Sequence, residues 1–596
     1  MKFELLLYIF SYFSLSLLIQ GYQDLWRVKR LKNTVYHPPL LLAMTRHWLS
    51  LFIGVVAFSS FYYVKHLTGK EVSIDPLERS SQIETMVLQS WSDYVRNGWG
   101  KDIYHPISHQ GNDNMAASKE PLGWIIVDTI DTLLLLLNNT QSEHRRDQLI
   151  QNVQLCTEWC QKVLSYDIDS PVNIFETTIR MLGGLLSAYH LTQTTANSTI
   201  DGQVFLTQAV DLAERIKPAF YESPSGIPYS SINLHSGEAI RNHVDNGASS
   251  TAEFTTLQLE FKYLAYITGV TEYWSLAEQV YKPLYAENDL LNRYDGLCPI
   301  YTIPDTAKFH GNNIRFGSRG DSFYEYLLKQ YLQSGEPIYY ELYRESIEGM
   351  KRHLVRHSSP SGFLYIAEKP WGLHNPASAK MDHLVCFMGG LLAMGATEGY
   401  KIEEARRQPW WDSIREEDWH LATDLTHTCY QMYHQTPSGL APEIVVFNDK
   451  GAREVKENGW WKSPTGDFYI KPLDAHNLQR PETVESIMFL YHLTGDKKYR
   501  EWGAEILESF EKNTCIHCDD ASKKAYSSLD NVINEPFKRK DNVESFWLAE
   551  TLKYLYLLFQ EDVDLKSTIF NTEAHPFPKM DRERLLDLNL STGWSI

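Results

Sequence analysis

An all-α fold of helical hairpins joined in series is the prediction, and three observations carry it. After about residue 90 the chain is dominated by apolar, aromatic-rich segments with the spacing of helices. A short echo recurs: Gly269 is followed four residues later by Tyr273, Gly335 by Tyr339 and Gly495 by Tyr499, as expected if each glycine ends one helix and each tyrosine lies in the next. Four segments also set carboxylates at or near the head of an apolar helix: Glu176, then Asp321 with Glu325, then Glu482 with Glu485, then Glu544 with Glu550. Hairpins in series bury their faces either by stacking into an open solenoid or by closing into a ring. The loops at 224–231 and 311–313 predict short β-hairpins on the rim.

From the N-terminus, residues 5–23 and 48–64 carry no charge, and either could span a bilayer, which takes roughly 17–25 residues. Arg27, Lys29, Arg30, Lys32 and Arg46 lie between them, a basic excess that stays on the cytoplasmic side and sends the chain after Lys65 into a lumen. Residues 48–64 therefore read as a transmembrane signal anchor and 1–47 as a cytoplasmic extension with an extra apolar segment. Residues 65–82 read as a stem broken at Asp75-Pro76, and 83–596 as a luminal domain. Within that domain the apolar run 122–137 holds Asp128 and Asp131, which makes it a buried helix with an acidic entrance rather than a span. Sequons at Asn138, Asn197 and Asn589 are consistent with luminal exposure.

Composition narrows the function. A net charge of −19 argues against nucleic acid, which needs a basic groove to displace counterions from phosphates. Sixteen Trp, 35 Tyr and 25 Phe suit sugar stacking, but ordinary helix packing accounts for them as well. Seven cysteines leave at least one thiol without a partner in the chain. Cys515 and Cys518 read as a small structural disulfide, since no second Cys-x-x-Cys completes a zinc site. Cys386 and Cys429 fall on two helical segments, and whether they are bridged is left open by the sequence. Cys156 and Cys160, four apart, read as buried thiols; Cys298 has no assigned partner.

For Glu482 and Glu485 alone, helix capping is the simpler account, because acidic residues favour a helix N-terminus. Repetition of the arrangement points instead to one acidic site. Paired carboxyls in an aromatic-lined pocket serve glycoside hydrolysis, where one protonates the leaving oxygen and another attacks the sugar or activates water. Burial raises one carboxyl's pKa while a nearby arginine keeps another ionised. Arg180, Arg319 and Arg480 stand close in sequence to Glu176, Asp321 and Glu482; structural salt bridges are the competing account of each pair. Near the C-terminus the polar run 570–577 offers Thr572 and backbone carbonyls, oxygens of the kind a hard cation prefers, although taken alone a plain turn is the better account and no EF-hand loop is present.

The segments around Glu176, Arg319–Asp321–Glu325, His383–Cys386, Arg480–Glu482–Glu485, Glu544–Phe546–Glu550 and Thr572–Glu573 together resemble the class I α-1,2-mannosidases, glycoside hydrolase family 47, and within it the yeast-type endoplasmic reticulum members. The resemblance runs from about residue 83 to the C-terminus. It implies an (α/α)7 barrel of helical hairpins, inverting hydrolysis of high-mannose N-glycans in the endoplasmic reticulum, and a Ca²⁺ at the barrel floor bound through Thr572. Glu482 would be the general base, with Glu176 acting directly or Asp321 acting through water as the acid. Asp128, Glu325, Glu485, Glu550 and Glu573 would complete the acidic floor; Arg180, Arg319, His383 and Arg480 would bind sugar hydroxyls; Phe546 would stack under the ring. The resemblance also implies disulfides Cys386–Cys429 and Cys515–Cys518. Endoplasmic reticulum members carry arginine where Arg319 stands and broader Golgi members carry leucine, which implies removal of one middle-branch mannose from a nine-mannose glycan. Residues 1–43 lie outside the resemblance, and Met44 would be a more usual beginning.

Two other classes compete. A non-catalytic glycan-binding relative acting in endoplasmic reticulum-associated degradation would keep much of the acidic floor without turnover. A membrane-anchored helical scaffold would leave the acidic helix starts unexplained.

Overall fold

A computed structural model describes residues 73–116, 120–195, 199–451 and 459–595. The expected anchor at 48–64, the apolar segment 5–23, the basic run, Met44 and the sequon at Asn197 lie outside the described residues. Among the described residues no helix is long and apolar enough to cross a membrane. Val72–Ile596 forms one compact unit.

Its principal helices are α1 (Pro76–Asn97), α2 (Trp124–Asn139), α3 (Glu143–Lys162), α4 (Gly183–Thr192), α5 (Gln203–Ile216), α6 (Gln258–Thr268), α7 (Thr271–Glu278), α8 (Asp321–Ser334), α9 (Pro337–His353), α10 (Met388–Thr397), α11 (Ser413–His434), α12 (Glu482–Thr494), α13 (Lys497–Thr514) and α14 (Leu552–Leu558). The even-numbered helices form an inner layer, each packed against one outer partner: α2 on α3, α4 on α5, α6 on α7, α8 on α9, α10 on α11, α12 on α13, and α14 on α1. Inner neighbours also touch in order from α2 to α14, and the segment leading into α14 returns to α2. Of the two arrangements left open by hairpins in series, the chain therefore adopts the closed ring.

The echoed glycines have the expected role. Gly269, Gly335 and Gly495 end α6, α8 and α12 at φ of +75°, +76° and +70°. Their N–H groups donate to the carbonyls of Ala265, Tyr331 and Tyr491 at 2.8, 2.8 and 2.7 Å, closing each helix before the chain turns back. Tyr273, Tyr339 and Tyr499 are then buried in the outer helices that come next.

Residues 76–82 of the expected stem belong to α1. Asp75 caps α1, its Oδ1 accepting from the N–H groups of Leu77 and Glu78 at 3.0 Å each, and Pro76 takes the first helical position. Arg79 and Ile83 are already buried, so the break read at Asp75-Pro76 is the start of the outer helix that closes the ring.

In α2, Ile126, Val127, Ile130, Leu133, Leu134 and Leu136 are wholly buried. Each such side chain contributes roughly 1.5–3 kcal/mol relative to exposure. Asp128 and Asp131 on this helix are equally buried and must be compensated. Helix α4 lies close against α2 at Gly184, where a Cβ would come within 2.5 Å of the Val127 carbonyl oxygen.

Short antiparallel sheets feed the inner helices. Pro171–Asn173 pairs with Ser231–Asn233, which pairs with Ala239–Ile240, and Ser249–Ser250 pairs with Tyr301–Ile303, which pairs with Lys308–Phe309. Lys380–Asp382 joins Ile444–Phe447, Phe468–Ile470 and Trp461–Lys462 in a four-stranded sheet. The rim pairs thus fall beside the loops 224–231 and 311–313 rather than within them. The hairpin Thr568–Phe570 with Pro576–Pro578 carries its turn into the ring: Asn571 Nδ2 donates to Ile179 O at 2.9 Å and to Glu260 Oε1 at 2.8 Å, and Lys553 Nζ donates to Ala574 O at 2.8 Å. Cys386–Cys429 joins the segment before α10 to α11, Cys515–Cys518 closes the loop after α13, and Cys156, Cys160 and Cys298 are buried free thiols.

Candidate active site

The helical run that leads into α4 begins at Ile174 and is capped by Asn173, whose Oδ1 accepts from the Glu176 N–H at 2.8 Å, while the other six inner helices have no side-chain hydrogen bond at the N-cap; outer helices α1, α3, α11 and α13 are capped by Asp75, Ser142, Asp412 and Asp496. Most inner N-termini thus keep their partly positive ends, and carboxylates, with Arg180 and His383, collect near these heads. Three of these heads are not regular α-helix: Thr177–Leu182 and Trp547–Thr551 are π-helical, and His383–Phe387 is 3₁₀. Such departures re-aim side chains and recur at functional sites. Here they carry Arg180, Glu550 and His383, with Glu176 and Phe546 immediately before the π segments.

On one side of the pocket stands Glu482, the first residue of α12. Its Oε2 lies 2.7 Å from His383 Nδ1, while His383 Nε2 is 3.0 Å from both Tyr433 Oη and Thr483 Oγ1. Burial works to raise the Glu482 pKa, but the hydrogen bond and charge of His383, with Arg480, outweigh it and hold the carboxyl below its ordinary value.

Across from it, Arg180 gathers four partners. Its Nε donates to Glu176 Oε2 at 2.9 Å, and its terminal nitrogens reach Glu573 at 2.8 Å, Ser545 Oγ at 3.2 Å and Asp128 Oδ2 at 3.3 Å. Phe546 links the two halves, its ring centre 5.9 Å from the Arg180 Cζ and 5.5 Å from the Arg480 Cζ. Asp321, at the head of α8, is in the opposite state to Glu482. Removal from water pushes its pKa up to about 7; the Ser322 N–H and Arg315 oppose this, while Glu325 and Asp382 add repulsion.

The floor holds more carboxyls than cations. Lys329 Nζ bonds Glu325, donates to Asn571 O at 3.2 Å and lies 4.0 Å from Glu485. Glu485 also accepts from Tyr554 Oη at 3.3 Å. Burial raises Glu485, Glu550 and Glu573; neighbouring carboxylates add to it, with Lys329 and Arg180 only partly offsetting the effect. Thr572 sits beside Glu573 in the turn of the plugging hairpin, between Asn571 and the buried His575.

Behind this floor Asp128 is fully buried and turned toward His575 and Ser545 as well as Arg180. His575 Nε2 is 3.1 Å from Asp128 Oδ1 and its Nδ1 2.8 Å from Asp131 Oδ2, which also receives Lys553 Nζ at 2.8 Å. Both ring nitrogens face carboxylates, which only accept, so the imidazole carries both protons; its pKa stands at about 9 because the two aspartates outweigh burial. Alternating charges thus compensate the two aspartates of α2.

Of the three arginine–carboxylate pairs suggested by sequence, only Arg180–Glu176 forms. Arg319 has φ of +73°, and its guanidinium bonds Asp245 Oδ2 at 2.9 Å instead of Asp321. Arg480 Nε bonds both oxygens of Glu443, at 2.9 and 2.8 Å. Glu544 accepts from Asn542 Nδ2 at 3.1 Å and adds to the negative field around Arg480.

Asp245, Glu443, Glu253 and Glu260 do not stand out in the sequence. Glu253 precedes α6 and Glu260 lies in its first turn; burial pushes each up to about 7. A signal for two of them is present all the same, since Glu253 and Glu260 bring α6 into the same pattern of acids at inner-helix heads.

The sequence profile of glycosyl hydrolase family 47 matches residues 86–579. The chain is 57% identical over 555 residues to the endoplasmic reticulum mannosyl-oligosaccharide 1,2-alpha-mannosidase of Saccharomyces cerevisiae, covering 92% of this chain and 99% of that one. It is 40% identical over 545 residues to the Schizosaccharomyces pombe protein of the same description, covering 90% and 96%. The solved structure of an alpha-1,2-mannosidase from Trichoderma reesei superposes with a TM-score of 0.70 at 27% identity, covering 84% of this chain and 99% of that one. A ring of hairpins with its acids at the inner-helix heads, matched by that profile over most of its length, places this chain in glycosyl hydrolase family 47.

Proposed function

We propose that the protein is a calcium-dependent, inverting exo-α-1,2-mannosidase of the endoplasmic reticulum, which removes one middle-branch mannose from the nine-mannose N-glycans of glycoproteins to leave the eight-mannose B isomer. The observation that carries this reading is the opposite setting of two carboxyls in one pocket: Glu482 is held ionised and Asp321 holds a proton up to about pH 7. Inversion needs one carboxylate to take a proton from water and one acid to protonate the departing oxygen. Glu482 is suited to the first role. Asp321, acting through water, is suited to the second, while Glu176 is engaged by the Arg180 guanidinium at 2.9 Å. Arg180, Arg319, His383 and Arg480 would grip sugar hydroxyls, with Phe546 as the platform. The names of the two yeast relatives support the substrate and the compartment. The apolar segment 48–64 is our candidate for an anchor that leaves the catalytic domain in the lumen.

The donor set fits a hard divalent cation. Thr572 and the carbonyls of its turn supply oxygen, and Glu485, Glu550 and Glu573, raised first by burial and further by neighbouring carboxyls, bring more carboxyls to the floor than its cations pair. Among the described residues no three His, Cys, Asp or Glu side chains converge at metal-ligand spacing, so Thr572 would hold Ca²⁺ directly and Glu325, Glu485, Glu550 and Glu573 would hold water around it. When bound, the ion would neutralise the floor and help orient hydroxyls and water.

Incubation with a nine-mannose glycan tests the reading. One free mannose per glycan is expected; binding without release would favour a glycan-binding relative. The pH profile of kcat/KM is expected to lose activity as pH rises through about 7, where Asp321 gives up its proton. On the acid side activity should persist below the ordinary carboxyl range, because Glu482 stays ionised there. A profile flat from pH 6 to 8 would remove Asp321 from the acid role.

Replacing Arg319 with Leu is expected to let additional mannoses be trimmed. Its guanidinium offers five donors in a rigid fork, enough to hold sugars of one branch and exclude others. Sizing the products over time checks this: a single unchanged product, formed more slowly, would contradict the role of Arg319 in branch choice.

A further inference from the structure

We infer that Asp245 is a positioning residue for branch selection: it holds one arm of the Arg319 guanidinium and so fixes the direction in which the remaining donors face the glycan. The inference rests on the reading of Arg319 as the branch selector and adds the residue through which that selection is set.

The main chain at Arg319 is fixed first. Its φ of +73° is a region that L-residues seldom adopt, and it is kept by Ala252 N–H and Ser250 Oγ, which donate to the Arg319 carbonyl at 3.1 and 3.3 Å. This turns the side chain away from its sequence neighbour Asp321. The long side chain still has free torsions, and a guanidinium at the end of three methylenes selects nothing unless it is held.

Asp245 supplies the hold. Its Oδ2 accepts from Arg319 at 2.9 Å, the one ion pair Arg319 makes among the described residues. The same oxygen accepts from Asn242 Nδ2 at 2.7 Å, and the Tyr301 hydroxyl donates to the same carboxyl. The Tyr301 ring then lies 5.1 Å from the Arg319 Cζ, so one residue both steadies the carboxylate and backs the guanidinium. Asn242 Oδ1 in turn accepts from the N–H groups of Val244 and Asp245 at 2.9 and 3.4 Å, which fixes the loop itself. The Asp245 side chain is 14% exposed and that of Arg319 37%. One arm of the fork is thus bound to the loop, while the Arg319 side chain remains partly exposed to solvent. Val244, 87% exposed, shows that the outside of this loop faces solvent, so the fold tolerates change there.

The experiment follows mannose release from a nine-mannose glycan by the full chain and by Arg319→Leu, Asp245→Asn and the double variant. The readout is the ratio of later products to the first. Asp245→Asn is isosteric and removes only the charge; it is expected to raise that ratio about tenfold, the scale of one charge-assisted hydrogen bond. Arg319→Leu should raise it at least as far, and the double variant should match Arg319→Leu alone, because two residues acting through one contact do not add. A single product from Asp245→Asn alongside several from Arg319→Leu would overturn the inference and leave the reading of Arg319 standing. A single product from Arg319→Leu would overturn both. A double variant exceeding Arg319→Leu by the full Asp245→Asn factor would show that Asp245 acts elsewhere, which also overturns it. Tyr301→Phe, which removes the hydroxyl held by the same carboxylate, supplies an independent reading should Asp245→Asn fail to accumulate: the ratio rises if the clamp is real and stays at the wild-type value if it is not.

Discussion

Glu482→Gln is expected to lower kcat by about 10²–10⁴-fold, the usual range for loss of a general base, in a protein that remains folded. The amide has the shape of the carboxyl and can still accept from His383 Nδ1, which lies 2.7 Å away. Arg480 keeps its two bonds to Glu443. What disappears is the negative charge that removes a proton from the attacking water. Stability should change little, because the arginine nearest the lost charge is already paired. Near-normal kcat in a folded Glu482→Gln protein would remove Glu482 from the base role.

Chelation is expected to have the second large effect, lowering activity and Tm together. Glu485, Glu550 and Glu573 crowd a buried floor in which Lys329 and Arg180 are the neighbouring cations, and burial, with repulsion among the carboxyls, raises their pKa values. A cation bound only by the native state adds roughly 2.7–4.1 kcal/mol when present at about 100–1,000 times its Kd. Thermal unfolding with and without chelator, then with Ca²⁺ restored, checks this. Unchanged Tm and unchanged activity after exhaustive chelation would contradict a structural and catalytic ion at Thr572.

Much of the candidate site is legible in the sequence because its signal is local. A carboxylate at the start of an apolar helix is visible within a few residues, which is how Glu176, Asp321, Glu325, Glu482 and Glu485 stand out. The arginine partners are not legible in the same way. Arg319 lies two residues from Asp321, but its left-handed backbone turns it to Asp245, 74 positions away in the chain. Arg480 is likewise drawn to Glu443 on another segment. Asp75-Pro76 shows a different limit: the same dipeptide serves as a break or as cap and first residue of a helix, and only the burial of Arg79 and Ile83 decides for the helix. Ring closure depends on α1 packing against α14 at the opposite end of the domain, a contact no local periodicity encodes. The glycine–tyrosine echo identifies hairpins because both of its residues act within one turn of chain reversal.

The assigned roles of Glu482 and Asp321 are tested most directly by proton NMR of the mannose released by the full chain from a nine-mannose glycan, recorded before mutarotation equilibrates the anomers. One mannose per glycan is predicted, appearing first as the β-anomer, since water activated by Glu482 attacks the face opposite the departing oxygen. Mannose appearing first as the α-anomer would contradict those roles, and no free mannose at all would contradict the activity itself.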